Sequence, residues 1–335
     1  MTNSVPHVSS GRYDVARSTD VVAHARAFRD WVDNKYHVLG GRSPFDGVMR
    51  DYSLGDSVRV CAETVKTPFL EQIGFVPPHK ILILQLQSND DVLLNGRFVN
   101  SDTVFITSGK TIHALAKSPI HANILTLDKE LFFESFKVNS NAIRETLPFE
   151  HFIKPICEST ADFYAQFRAH FSELDRMSTE GANAVSSVDR ILAATAEIVG
   201  WTEGALEPGA ASATTRAYIV DKSCELFAQN FHDEAFGILD LCARLRVSRR
   251  TLQYSFETVV GMSPSNYMRS VRLNVARRSL MTKPNEKIQG LALDAGFSHL
   301  GRFSKYYQEF FGELPSATAS RACPQAAAVI CGTHH

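Results

Sequence analysis

No apolar run in the 335 residues reaches the ~18 needed to cross a bilayer, and the opening stretch MTNSVPHVSSGR lacks the apolar core of a secretory leader. A soluble, intracellular (cytoplasmic) protein without membrane contact is expected. The six cysteines (Cys61, Cys157, Cys224, Cys242, Cys323, Cys331) are scattered, and no two have Cys-x-x-Cys spacing, which argues against a zinc ribbon or a redox pair. Cys224 and Cys242 fall at apolar helix positions, where cysteine serves as a small buried hydrophobe. The patterns G-x-S-x-G, H-E-x-x-H and G-x-x-x-x-G-K-[ST] are missing as well. No catalytic residue, no cofactor and no enzyme activity are therefore expected. His79, His113 and His121 do not form the pair one residue apart that small metal-binding barrels use. They read as surface or pocket side chains, with no metal expected.

What is present is ordinary in amount and uneven in distribution. Hydrophobic residues make up 44% of the chain and charged residues 21%, enough for two domains with cores of their own. The net charge of −1 hides an asymmetry. Residues 215–335 hold 15 Lys and Arg against 10 Asp and Glu, net +5, whereas residues 1–214 hold 20 against 26, net −6. Any polyanion partner belongs to the C-terminal part.

Period and punctuation divide the chain further. Residues 1 to about 18 are polar and read as mobile. Val21–Val38 reads as a helix with Val21, Ala25, Phe28 and Val32 on one face. Strand signals follow to about residue 135: Ser57–Val65, Lys80–Gln87, a hairpin closed by Asn95-Gly96, a second hairpin from Thr103–Ile106 through Ser108-Gly109-Lys110 to Thr111–Ala116, and His121–Leu127. Many short strands imply a sandwich or small barrel. Phe69, Phe75, Phe98 and Phe105 are available either to line a pocket or to fill the core. From Thr160 the period becomes helical, with Phe163, Phe167, Phe171 and Leu174 on one face. Val185, Val188, Leu192, Thr195 and Val199 then form a seam. That seam fits a helix packed on its own barrel as well as one that pairs two copies, so a homodimer stays open. Thr202–Thr214 (TEGALEPGAASAT) reads as a soft tether spanning roughly 20 Å. The expected divisions are 1–201, a β-rich domain; 202–214, a linker; 215–321, a helical domain; and 322–335, a disordered tail.

Within the helical part a pattern occurs twice. LCARLRVSRRTLQYSFETVVGMSP (241–264) returns as LALDAGFSHLGRFSKYYQEFFGELP (291–315), with Leu252 matching Phe303, Phe256 matching Tyr307, Gly261 matching Gly312 and Pro264 matching Pro315. Each copy reads as a short helix, a turn and a second helix. In the first, Leu241, Leu245 and Val247 form the core of the turn. Ser248 caps the next helix, Leu252, Phe256 and Val259 face inward, and Gly261 ends it. Arg249, Arg250, Gln253 and Tyr254 are left on the outer face near the helix start. Arg bonds guanine and Gln bonds adenine bidentately, each worth ~1–3 kcal/mol of discrimination. Ser263-Pro264 opens a long connecting helix to about Met281. Its Arg269, Arg272, Arg277 and Arg278 read as a solvated charged face, with phosphate contact as the alternative. In the second copy Ile288, Leu291, Ala292 and Ala295 build the first helix and Phe297 plugs the turn. Phe303, Tyr307 and Phe310 face inward, and Ser298, His299, Arg302, Ser304 and Lys305 are available as readers. His299 suits a capping or phosphate role.

The stretch VSRRTLQYSFETVVGMSPSNYMRSVRLNVARRSL followed by AGFSHLGRFSKYYQEFFGELPS resembles the C-terminal domain of AraC/XylS-family bacterial transcription regulators. RTLQY, HLGRFSKYY and FGELPS look most like its ethanolamine-utilisation regulator subgroup. The resemblance covers about 100 residues. It implies seven helices, two helix-turn-helix units on one long helix, and a cupin-like sensor domain in front. Carried over, Arg250, Gln253 and Tyr254 read one groove of promoter DNA and Arg302, Ser304 and Lys305 the next, about one turn (~34 Å) away. The family often has Arg where Tyr254 stands, and Tyr cannot bond guanine bidentately, so a shifted specificity is implied. Partners implied are double-stranded promoter DNA, RNA polymerase and a small-molecule inducer of unassigned identity, in a ligand-responsive activator. Two alternatives remain open: control by a protein partner, and a cupin-type metalloenzyme with a DNA-binding appendage.

Overall fold

The computed structural model describes residues 11–41, 44–87, 92–135, 148–153, 165, 169, 190–195 and 215–322. Twelve strands, numbered in chain order, form two antiparallel sheets among these residues. The seven-stranded sheet runs β1 (Gly11–Ser18), β3 (Gly47–Leu54), β4 (Val58–Val65), β11 (Ile120–Asp128), β6 (Lys80–Leu86), β9 (Val104–Ser108), β12 (Phe149–Ile153). The five-stranded sheet runs β2 (Val32–Val38), β5 (Leu70–Phe75), β10 (Thr111–Ala116), β7 (Val92–Leu94), β8 (Arg97–Val99). Side chains from both inner faces, among them Met49, Leu84 and Ile124 against Tyr36, Leu70 and Ile112, share one core. The outer face of the larger sheet is also covered. Val60, Ile83 and Leu125 pack there against Phe132 and Phe133 of helix α2 (Lys129–Ser135) and against Ile191 and Leu192. Burial on both faces is why KILILQL is apolar with little alternation. Leu192 is buried on the protein's own sheet, and Thr195 is buried with its hydroxyl donating to Ile191 O at 2.7 Å. Val185, Val188 and Val199 of that seam lie outside the described residues, as do Phe163, Phe167, Phe171 and Leu174, residues 202–214 and residues 323–335.

Three expectations need correction. Residues 11–18 are not mobile; they pair with β3 over their whole length. Val21–Val38 is not one helix. Asp20 caps α1 (Val21–Ala25), its Oδ1 accepting from Val22 N at 2.8 Å, but bonds shorten to three-residue spacing at Ala27 and Phe28, and Asp33 takes a left-handed φ of 53°. Val21, Ala25 and Phe28 do share a buried side, so the period was right and the length was not; Val32 is exposed in β2. The stretch 103–116 forms two strands but no hairpin. β9 pairs with β6 and β12, and β10 pairs with β5 and β7, so Gly109 (φ 67°) hands the chain from one sheet to the other. The Asn95-Gly96 hairpin forms as expected, with φ of 46° and 77°.

Residues 215–322 fold into seven helices: α3 (Thr215–Asn230), α4 (Ile238–Leu245), α5 (Arg249–Val259), α6 (Pro264–Thr282), α7 (Ile288–Asp294), α8 (Leu300–Phe311) and α9 (Pro315–Ala322). The whole is therefore α+β in two parts, and no helix among the described residues is long and apolar enough to cross a membrane. Leu252, Phe256 and Val259 bury with α3 and the start of α6, while Phe303 and Tyr307 bury with the end of α6 and α7. One long helix thus lies in both cores and fixes the two units relative to each other.

Candidate functional site: two outward helices and a docked sheet

The duplicated pattern becomes duplicated geometry. Ser248 Oγ accepts from Thr251 N at 3.0 Å, so α5 starts where its cap requires. Gly261 (φ 79°) and Gly312 (φ 75°) close the equivalent helices α5 and α8 in the left-handed conformation. The turn before each reading helix also needs a left-handed residue, and the two copies meet this differently. Gly296 (φ 82°) supplies it in the second, Arg246 (φ 54°) in the first. At Gly296 a Cβ would collide with the Phe231 carbonyl and approach Arg272 Nε at 2.8 Å.

Every expected reading residue is accessible. Arg249, Arg250, Gln253 and Tyr254 are exposed on α5; His299, Arg302 and Lys305 are exposed at and along α8, and Ser304 is half-buried. Gln253 Nε2 donates to Glu257 Oε1 at 2.6 Å, the Arg216 guanidinium lies 4.5 Å over the Tyr254 ring, and Lys305 Nζ stands 4.0 Å from Glu309. His299 occupies the N-cap of α8, yet its side chain makes no capping bond, which corrects the capping role expected for it. Arg249 and Arg250 occupy the first turn of α5, which has no acidic residue. A cation there opposes the helix dipole at a cost of ~0.3–1 kcal/mol. That placement is unfavourable for the free helix and favourable against an anion.

The connecting helix differs from expectation. Arg272, Arg277 and Arg278 are not a solvated face. Arg272 donates to the carbonyls of Phe231 and Asp233 at 2.9 and 2.7 Å, binding the end of α3. Arg277 pairs with Asp20 of the β-rich part at 3.2 Å and Glu313 at 2.8 Å. Burial lowers the Arg278 guanidinium to about 10. Only Arg269, exposed and stacked 4.7 Å from the Tyr306 ring, keeps the expected position.

The outer face of the five-stranded sheet, which alternation alone would leave to solvent, docks on the helical domain. Along β2, β5, β10 and β7 the inward side chains (Tyr36, Leu70, Ile112, Leu94) enter the sandwich core. The outward ones (His37, Leu39, Glu71, Leu93, Leu115) are buried, and His113 is nearly so. Leu39, Leu93 and Leu115 pack with Val220, Phe256 and Tyr267. Asn274 of α6 covers the free edge of β2: its Oδ1 accepts from Val38 N at 3.1 Å and its Nδ2 donates to Val38 O at 2.8 Å. Ser270 Oγ donates to Leu39 O at 2.9 Å. Phe69, at φ 54°, lies against Gly261, where a Cβ would meet its ring at 3.1 Å. Phe69 and Phe98 pack at this interface and Phe105 in the sandwich core, so these three are packing residues.

A polar cluster sits within that apolar interface. Glu71 Oε2 accepts from His37 Nδ1 at 2.6 Å, and Oε1 accepts from His113 Nε2 at 3.0 Å and from the Tyr267 hydroxyl. His113 Nδ1 lies 3.0 Å from Asp221 Oδ1 on α3. Burial opposes charge on both Glu71 and His113. The donors around Glu71 nevertheless hold its carboxyl well below the usual range, and Asp221, Cys224 and Glu71 hold His113 well above its own. Burial pushes the Cys224 thiol and the Tyr267 hydroxyl up and His37 down. His113 is therefore neither a surface nor a pocket histidine, whereas His79 and His121 are exposed. A sequence signal for this existed: TIHALA and VLL carry apolar residues on both faces, marking a sheet covered twice.

Comparison with known proteins places the C-terminal part. Residues 241–321 match the family model described as a helix-turn-helix domain. The chain is 44% identical over 77 residues to XylDLEGF operon transcriptional activator 2 of Pseudomonas putida, covering 22% of this chain and 48% of that protein. It is 38% identical over 76 residues to the HTH-type transcriptional regulator ArgR of Pseudomonas aeruginosa, covering 23% of each. The chain thus spans about half, or less, of the length of these relatives. Among solved structures, the AraC-like transcriptional activator CuxR is matched over 85% of this chain and all of its own, at 15% identity and a TM-score of 0.38, too loose a likeness to bear on function. Residues 241–321 are thus similar to a helix-turn-helix domain and to the matching segments of these transcriptional regulators.

Proposed function

We propose that the chain is a DNA-binding transcription regulator, reading promoter DNA with α5 and α8 and carrying a ligand-responsive sensor in front. One observation carries the proposal. Two equivalent helices, fixed by one connecting helix, present Arg249, Arg250, Gln253 and Tyr254, and then His299, Arg302, Ser304 and Lys305, away from their cores. Arg and Gln at helix starts supply the bidentate donors and acceptors that base edges require. The functional divisions are a sensor over 1–201, a tether over 202–214, a reading domain over 215–321 and a tail beyond it. The proposal assigns the chain no catalytic step, places it in the cytoplasm with the genome, and makes it an activator that meets RNA polymerase.

The inducer is assigned to a cleft of about 550 Å³ between sensor and reading domain. Phe45 and Val21 line one side, Phe310 and Phe311 the other, and Asp20 and Arg277 supply charge. That volume suits a small organic ligand. The test is a gel-shift titration on an operator selected from random sequence. Gln253→Ala and Arg250→Ala should weaken the selected site far more than random DNA. Equal losses on both would remove these residues from base reading.

A further inference from the structure

Glu71 on β5, His113 on β10 and Cys224 on α3 each offer one ligand atom, and these atoms lie within 4.8 Å of one another. We propose that they bind one borderline-soft divalent cation of the Zn²⁺ class, which ties the sensor sheet to the first helix of the reading domain. Binding of the ion is independent of the regulator proposal; only its effect on DNA affinity rests on that reading.

The donor set selects the ion. Thiolate, imidazole and a single carboxylate suit Zn²⁺, whereas Mg²⁺ and Ca²⁺ require mostly oxygen ligands. With bonds of ~2.0–2.3 Å in a tetrahedron, ligand atoms stand roughly 3.3–3.6 Å apart. The 3.0 Å between His113 Nε2 and Glu71 Oε1 needs to open by only a few tenths of an ångström. The surrounding groups are those that orient ligands. Asp221 Oδ1, 3.0 Å from His113 Nδ1, holds the proton on that nitrogen and leaves Nε2 to face Glu71 Oε1 at 3.0 Å. His37 grips Glu71 Oε2 at 2.6 Å and so turns Oε1 toward the same point. Three protein ligands leave a fourth position for water.

The charge also balances. Without the ion, His113 Nε2 lies 3.0 Å from Glu71 Oε1, and Cys224 is buried beside them. Ligand protons displaced by a divalent ion leave to solvent, which offsets the charge the ion brings. The apolar frame of Leu39, Leu93 and Leu115 does not have to accept additional charge. Because the ligands come from both parts of the molecule, the ion stabilises the docked arrangement over any in which α3 has left the sheet.

The test uses the full chain, reduced and stripped with chelator, carrying Cys323→Ser and Cys331→Ser so that tail thiols do not contribute. Titration with Co²⁺ should give one ion per chain, with thiolate-to-metal charge-transfer absorption and release of protons in a weakly buffered solution. Cys224→Ser should abolish the charge-transfer band. Asp221→Asn should keep the stoichiometry while weakening affinity about 10- to 100-fold. Cys61→Ser and Cys242→Ser should change neither. Circular dichroism verifies that each variant is folded; if Cys224→Ser is not, the Asp221→Asn shift decides. No band in the starting protein, a band that survives Cys224→Ser, or an unshifted Asp221→Asn overturns the site. If the ion binds as described while Zn²⁺ leaves operator affinity unchanged, the site stands and its coupling to DNA reading falls.

Discussion

Arg249 and Arg250 stand in the first turn of α5, against the helix dipole, and no carboxylate in that turn offsets them. Their placement makes sense through a partner that is absent when the domain folds. Replacing Arg249 with Ala should therefore leave stability unchanged or raise it slightly while weakening DNA binding. Chemical denaturation and gel shift on the same variant check the two halves of that expectation. Arg250→Ala and Gln253→Ala should each lose about 1–3 kcal/mol on the selected site, roughly 5- to 150-fold in affinity. Gln253 must first release Glu257, which it bonds at 2.6 Å. Gly296 serves packing, not reading. Gly296→Ala places a Cβ against the Phe231 carbonyl at a left-handed φ of 82°. It should destabilise the domain by about 1–3 kcal/mol in urea unfolding. No measurable change would mean the turn relaxes freely.

At the level of elements, α6 joins the two reading units and closes the edge of β2. Asn274→Ala removes both bonds to Val38 and leaves buried backbone groups without partners, at a cost of about 1–3 kcal/mol. Faster amide exchange at Val38, with the sandwich core still protected, is the expected signature. The corner between α8 and α9 depends on Glu313, which accepts from Arg277, Arg321 and Thr318. Burial opposes its ionisation, and these donors outweigh that effect, holding the carboxyl below its ordinary 4.5. The stabilisation is therefore complete above pH 4.5 and is lost as pH falls through the lower folded value. Glu313→Gln should flatten that acid limb in a thermal-melt series.

Much of this was legible from the chain. The repeat fixed the boundaries of α4 to α8, because caps such as Ser248 and Ser263 and closing glycines such as Gly261 and Gly312 act locally. Strands β4 and β6 to β11 were legible from composition, whereas β1, β2, β3, β5 and β12 were not. Strand partners were not legible, since which sheet receives β10 depends on contacts far away in sequence. Arg277 and Arg278 were misread for the same reason. Their helix face looked exposed until β2 and Asp20 came to lie beside it. His113 was legible as a histidine; its placement beside Glu71 and Cys224 needed the docking of two domains.

For the whole molecule, layers follow one another: helical residues, seven-stranded sheet, five-stranded sheet, reading domain. Asn274, Arg277 and the Glu71 cluster make direct contact between the β-rich part and the helical part, and under the proposed function this contact is where ligand and DNA binding would be coupled. Loosening that contact with Asn274→Ala should alter the ligand dependence of DNA binding more than its sequence preference. The most direct measurement is a hydroxyl-radical footprint of the full protein on its selected operator. Two protected patches on one face of the duplex, about one turn (~34 Å) apart, are expected. Arg250→Ala should erase one patch and Lys305→Ala should weaken the other. A single patch, or two patches that respond to the same substitution, would contradict twin reading helices held on one connecting helix.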